Sequence, residues 1–280
     1  MEITFMLIIG SYNELVVQRE STVGFYLNPK EEEVLLPFKY VPEGLKPGDT
    51  ITVFVYTDSE DRPVATTLKP VAVVGEFAFM TVKDTASFGA FLDWGLEKDL
   101  LIPNSEMPSR FKKGEKHVVK VCLDEESDRV FATARIAQNC SRYMAGISEG
   151  QRVEALVYGI TELGYQAVID NSHCGMIYKN ETFEKLALGD KISAYIHRIR
   201  DDSKIDLLLK KPGYASVSQS ERKVMEILEG MGGFTSCHDK SSPEEIKKIF
   251  SMSKKEFKKT VGSLYKSRKI KILDNGIILT

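Results

Sequence analysis

Residues 75–108 read GEFAFMTVKDTASFGAFLDWGLEKDLLIPNSEMP, and residues 111–135 read FKKGEKHVVKVCLDEESDRVFATAR. Gly75 opens an alternating apolar run. A second strand follows through Phe88, Gly89, Ala90, Phe91, Leu92 and Asp93. Leu100 to Ile102 form a short apolar strand that Pro103 stops. The Lys112-Lys113-Gly114 turn leads into Val118 to Leu123, an acidic turn spans Asp124 to Asp128, and a last strand runs from Arg129 to Ala134. Short strands in this number, separated by turn residues, predict a small closed barrel.

The same order stands upstream. Gly24-Phe-Tyr-Leu27 matches Gly89-Ala-Phe-Leu92, Leu35-Leu36-Pro37 matches Leu101-Ile102-Pro103, and Gly48-Asp49 matches Gly114-Glu115. The strand Val53 to Thr57, the acidic turn from Asp58, Arg62 and the Ala-Thr strand ending at Thr67 complete that copy. A looser copy opens at Gly150-Gln-Arg-Val153. It continues through Gly164 to Val168, Leu188-Gly189-Asp190, Ile192 to Ile199, a turn at Arg200 to Lys204, and Ile205 to Leu209. A period of roughly 70 residues makes these separate domains in tandem and excludes a solenoid of short repeats. Thr67 to Val71, with Pro70, reads as a stiff connection. Ala137 to Gly150 reads as a longer one, helical around Asn139 to Met144. Lys210-Lys211-Pro212-Gly213 breaks the third barrel, and Ser216 to Ser220 is a polar linker.

From Gln219 the pattern changes. Val224, Ile227 and Leu228 stand at helical spacing in a helix that ends at Gly230. Ser242-Pro243-Glu244-Glu245 combines a cap serine, proline at the first helical position and first-turn acids. Ser253-Lys254-Lys255-Glu256 is a capping-box pattern. Asp274-Asn275-Gly276, between Ile270 to Leu273 and Ile277 to Leu279, signals a tight hairpin. Three helices and a terminal hairpin predict a winged helix. The fold class is therefore mostly β with a C-terminal α+β portion. The predicted domains are barrels over 1–69, 70–145 and 146–213, and a winged helix over 214–280.

Charge is unevenly divided. The 280 residues carry a net −2, so the chain is not polybasic as a whole. From Ser216 onward, 13 basic and 8 acidic residues give +5, whereas the preceding residues carry 25 and 32, giving −7. On the predicted third helix Phe257, Val261 and Leu264 form one face, and Lys255, Lys258, Lys259 and Lys266 point roughly opposite. Arg268, Lys269 and Lys271 adjoin them. No apolar run reaches the ~20 residues a membrane span needs. The short apolar start Ile3 to Ile9 follows Glu2 and has no basic segment before it, so it reads as a strand or a leading tail and not as a signal peptide. Cys122, Cys140, Cys174 and Cys237 lie far apart with no CxxC spacing. That predicts a reducing cytoplasmic setting, no disulfide and no zinc site, the pairs His173-Cys174 and Cys237-His238 having the wrong spacing. With no P-loop, no nucleophile elbow and no clustered carboxylates beyond solvated turns, catalytic residues, metals and cofactors are not expected.

The order Gly75, Phe88-Gly-Ala-Phe91-Leu92, Leu-Leu-Ile-Pro103, Gly114-Glu115, then Asp124 ahead of Arg129, resembles the S1 RNA-binding domain, an OB-fold barrel. The layout of nearly the whole chain resembles the conserved virulence factor B family of bacterial RNA-binding proteins, with three S1-type barrels and a winged helix. The motifs are sharpest in repeat two and at the C-terminus, and looser in repeats one and three. The resemblance implies that Phe88 and Phe91 stack on bases, with Asp124 and Arg129 at the matching polar positions. Tyr26 and Arg62 take the places of Phe91 and Arg129 in repeat one, while Val23 replaces Phe88. Repeat three has Leu163 and Gln166 in the aromatic places, which reads as a spacer or a protein-binding barrel. The sequence departs from the S1 pattern where many members have a histidine on the third strand, because Pro103 stands there, Pro37 in repeat one and Tyr178 nearby in repeat three.

The expected partner is single-stranded RNA, with duplex nucleic acid as a further partner of the winged helix and no membrane. The expected role is post-transcriptional control of gene expression. Two other readings are a winged-helix DNA-binding transcription regulator and an adaptor that binds ribosomal or RNA-degradation proteins through its barrels.

Overall fold

The computed structural model describes residues 7–27, 33–182, 184–210 and 219–280. Most of Ile3 to Ile9, most of the 210–213 break and most of the Ser216 to Ser220 linker lie outside the described residues. The chain divides into two compact units, Met1–Leu209 and Lys210–Thr280. Among the described residues no helix is long and apolar enough to cross a membrane.

In the first unit, β1 (Ser11–Glu20), β2 (Gly24–Leu27), β3 (Val34–Pro37), β4 (Thr50–Thr57) and β5 (Pro63–Thr66) close into a barrel in the order β1-β2-β3-β5-β4. β6 (Phe77–Ala86), β7 (Gly89–Leu92), β8 (Leu100–Pro103), β9 (Lys116–Asp124) and β10 (Arg129–Thr133) repeat that order. So do β11 (Arg152–Ile160), β12 (Gly164–Ile169), β13 (His173–Tyr178), β14 (Lys191–Ile199) and β15 (Ile205–Leu208), again as a closed barrel. A parallel pairing closes the outer two, β3 on β5 at Leu35↔Val64 and β13 on β15 from Gly175↔Ile205 to Ile177↔Leu207. In the middle copy β8 and β10 lie side by side without a ladder, and the seam is bridged past the strand end by Ala134 N donating to Glu106 O at 2.9 Å.

The repeats seen in the sequence share geometric detail. The first strand of each copy has a bulge at the same place, Val17/Arg19, Val82/Asp84 and Val157/Gly159, which bends the strand around the barrel. The glycine that opens each second strand is required by close backbone approach. A Cβ on Gly89 would stand within 2.4 Å of Ile102 O, on the strand paired with it.

Strand β4 joins the first two barrels. Period-two alternation sends Val53 and Val55 into the first barrel with Leu15, Leu27 and Leu36. Phe54 and Tyr56, on the other face, enter the core that holds Trp94 and Met80 of the second. The Phe54 and Trp94 rings meet edge-on at 5.5 Å, and Trp94 Nε1 donates to Ala72 O at 2.7 Å. Around this apolar contact, Lys98 Nζ donates to Thr57 O and Asp58 O at 2.9 and 2.6 Å, and Lys39 pairs with Glu97. Burial, helped by Tyr40 and Glu97, pushes the Tyr56 hydroxyl up to about 12. The second and third barrels meet through Phe77, Val118, Ile136, Leu156 and Val168, with Phe77 N donating to Asn171 Oδ1 at 3.0 Å.

Two expectations are corrected in this region. The connecting helix is α1 (Ile136–Asn139), one short turn ahead of the Asn139 to Met144 position, because buried Ile136 anchors it in the junction between barrels. Cys140 and Cys174 form a disulfide with a Cα–Cα distance of 5.6 Å. Separation of 34 residues in sequence hid this pairing, which packing of the connector against β13 creates. Cys122 and Cys237 are free.

The second unit contains α2 (Gln219–Gly230), β16 (Phe234–Thr235), α3 (Pro243–Phe250), α4 (Lys254–Lys266), β17 (Ile270–Leu273) and β18 (Gly276–Leu279), with sheet order β16-β18-β17. This is a winged helix. Ser242 and Glu245 make a full capping box at the start of α3. At α4 only the forward half forms: Ser253 Oγ accepts from Glu256 N at 3.2 Å, while the Glu256 carboxylate accepts from Ser220 Oγ of α2 at 2.6 Å. The core is Val224, Leu228, Ile246, Phe250, Phe257, Val261 and Leu264.

Phe54→Ala is expected to cost about 3–5 kcal/mol of stability and to red-shift the emission of Trp94, the sole tryptophan, in the folded state. Equilibrium unfolding followed by fluorescence checks both. An unshifted spectrum would contradict a core shared between barrels.

Candidate nucleic-acid interface

The short strand β7 reads Gly89-Ala-Phe-Leu92, with Ala90 and Leu92 buried and Phe91 half-buried. Phe88 precedes it and is 58% exposed. The Phe88 and Phe91 rings meet edge-on at 6.0 Å. Their loop is held by Asn104, whose backbone N donates to Phe88 O at 3.0 Å and whose Nδ2 donates to Ser87 O at 2.7 Å. A fixed backbone thus presents two rings at a surface, as a base-stacking platform requires. The site recurs in each barrel. Phe38 N donates to Val23 O and Lys179 N to Leu163 O, as Asn104 N does to Phe88 O, and Val23 and Leu163 are 54% and 68% exposed. On strand β2, half-buried Tyr26 lies under the Arg19 guanidinium at 3.8 Å.

The polar groups predicted beside these rings have partners within the protein. Arg129 Nε donates to Asp61 Oδ1 at 3.0 Å, and its Nη2 also binds Asp61, on the β4–β5 turn of the first barrel. This ion pair holds the exposed Asp61 carboxylate below its ordinary range. Arg62 is paired with Asp58 and Glu60, each at 2.8 Å. Asp124 accepts from Ser127 Oγ at 2.7 Å and Glu126 N at 3.2 Å, closing its own turn. The surface beside Arg129 is a hollow of about 530 Å³ lined by Glu106, Asp124, Glu125 and Glu126 as well, which disfavours phosphate there. Asp84 stands opposite Phe91 across the strand pair.

The winged helix is different. On α4, Phe257, Thr260, Val261 and Leu264 are buried. Lys255, Lys258, Lys259 and Lys266 are exposed, as are Arg268 and Lys271, with Lys269 half-buried. Among the described residues none of these seven forms an ion pair, so their charge is open to an external anion.

Residues 222–279 match the CvfB-like winged helix domain family, and residues 9–68 match the S1 domain family. Over nearly its whole length the chain is similar to proteins of the conserved virulence factor B family. It is 26% identical over 292 residues to conserved virulence factor B of Staphylococcus saprophyticus, covering 98% of this chain and 95% of that protein. It is 25% identical over 269 residues to the protein YitL of Bacillus subtilis, covering 93% and 90%. A solved structure described as a multidomain protein with nucleic acid binding domains, from Streptococcus pneumoniae, is 26% identical over 97% of this chain and 98% of its own, with a TM-score of 0.43. The S1 match falls on the first barrel, although the sequence motifs are sharper in the second. An S1 domain and a winged helix support nucleic-acid binding.

Sequence reasoning missed the Arg129–Asp61 pair, because the partners lie 68 residues apart. Asp61 has a backbone φ of +62°, which asparagine tolerates, so Asp61→Asn should leave the turn intact and free Arg129. The variant is expected to bind RNA a few-fold more tightly at low salt, with the gain vanishing at high salt. Filter binding at two ionic strengths measures this.

Proposed function

We propose that this chain is a non-catalytic binder of single-stranded RNA that acts in post-transcriptional control of gene expression. The observation that carries the reading is the Phe88–Phe91 pair, two rings held at the surface of the middle barrel by hydrogen bonds from Asn104. Stacking on a ring tolerates any base and is worth about 1–3 kcal/mol per base. It does not neutralise phosphate. That role falls to the unpaired lysines of α4, together with Arg268, Lys269 and Lys271, in a unit of net charge +5 from residue 216 onward. Tyr26 and Arg62 are an auxiliary surface on the first barrel, while Asp124 orders the turn ahead of Arg129. The staphylococcal relative named as a virulence factor is consistent with a regulatory role.

The free lysine face also favours a second reading, in which α4 engages duplex DNA. Competition between single-stranded RNA and duplex DNA of equal length at one salt concentration separates the two, and preference for the duplex would overturn the first.

Phe88→Ala and Phe91→Ala are each expected to weaken single-stranded RNA binding by about 1–3 kcal/mol without changing its salt dependence. Replacing Lys255, Lys258, Lys259 and Lys266 by glutamine should instead flatten the slope of log affinity against log salt, by up to about 3 for four lost phosphate contacts to a single strand. Unchanged affinity in all of these variants would remove the proposed surfaces.

A further inference from the structure

A cleft of about 410 Å³ opens where the second barrel, α1 and the third barrel meet. We propose that it is a nucleotide subsite, which takes one base of the bound strand together with that nucleotide's phosphate. This inference rests on the RNA-binding reading and adds a pocket that reads a base edge to surfaces that only stack and neutralise.

One wall is flat and aromatic. Phe111 and His117 lie face to face at 3.5 Å with an interplanar angle of 2°. The opposite wall is built from the third barrel, where Tyr158 and Gln166 line the cleft. Gln166 pairs in register with Gly159, and its amide lies directly over that glycine, where any side chain would collide with it. Gln166 occupies the position of Tyr26 and Phe91 in the other barrels. A group with both a donor and an acceptor thus replaces a stacking ring.

Among the described residues neither the Tyr158 hydroxyl nor the Gln166 amide has a hydrogen-bond partner. Arg135 donates through Nε to Ser105 O at 2.7 Å, which fixes the guanidinium at the rim and leaves its terminal nitrogens without a protein partner among the described residues. A planar base edge offers donors and acceptors that match an amide and a hydroxyl. A phosphate matches a guanidinium fork. The volume lies within the range of small-molecule sites. An apolar ligand would leave the amide and hydroxyl unpaired.

Saturation-transfer NMR of the full chain with each of the four ribonucleoside 5′-monophosphates tests the cleft without a polynucleotide. At least one should bind saturably. Gln166→Leu and Tyr158→Phe should each weaken it about fivefold, the value of one net hydrogen bond. Absence of binding by all four, or binding that ignores both cleft variants, overturns the proposal. Long RNA that still binds while no monophosphate does would leave the strand-binding reading standing and remove the cleft alone.

Discussion

Strand β4 is buried on both faces, and the arrangement of the first two barrels depends on that. A strand in a small barrel ordinarily shows one face to solvent. Here Val53 and Val55 fill one core while Phe54 and Tyr56 fill the next, with Trp94 set against Phe54 from the other side. The barrels are therefore not beads on a string. Opening the angle between them would expose aromatic surface. The ion pairs around this contact, Lys39 with Glu97 and Arg129 with Asp61, are exposed and contribute orientation more than stability.

That junction bears on function, because Arg129, which sequence places beside the stacking rings, is drawn to the first barrel by Asp61. Acidic groups surround what remains of its surroundings. The barrel unit offers rings and a polar cleft, and the winged helix offers unpaired ammonium groups. In the proposed function, stacking and phosphate neutralisation thus reside in different units of the chain. The two contributions differ in salt dependence, since only the second releases counterions.

The legible parts of the fold were those encoded locally. Period-two alternation through Phe88 to Asp93 identified the strand and told which ring points outward, and Ser242-Pro243 with Glu245 fixed the start of α3. The repeat of Gly24, Gly89 and Gly164 marked three copies of one close backbone approach. The less legible parts depended on partners distant in sequence. A helix was expected around Asn139 to Met144, yet it forms at Ile136–Asn139, because Ile136 has a pocket in the barrel junction. Cys140 and Cys174 were read as unpaired, since spacing alone cannot bring a connector against β13. Tyr158 and Gln166 are not legible as a pair, since nothing in the sequence says that α1 and Phe111 close over them.

The sequence by itself determined the number and kind of domains, the outward-facing ring of β7, and the concentration of positive charge in the terminal winged helix. These follow from side-chain alternation, turn chemistry and composition, which act over a few residues. Only the tertiary structure decided which charged groups are spent on one another, which strand serves two cores, and where a cleft lies between barrels. Such contacts join residues tens of positions apart, and their existence depends on how whole barrels pack.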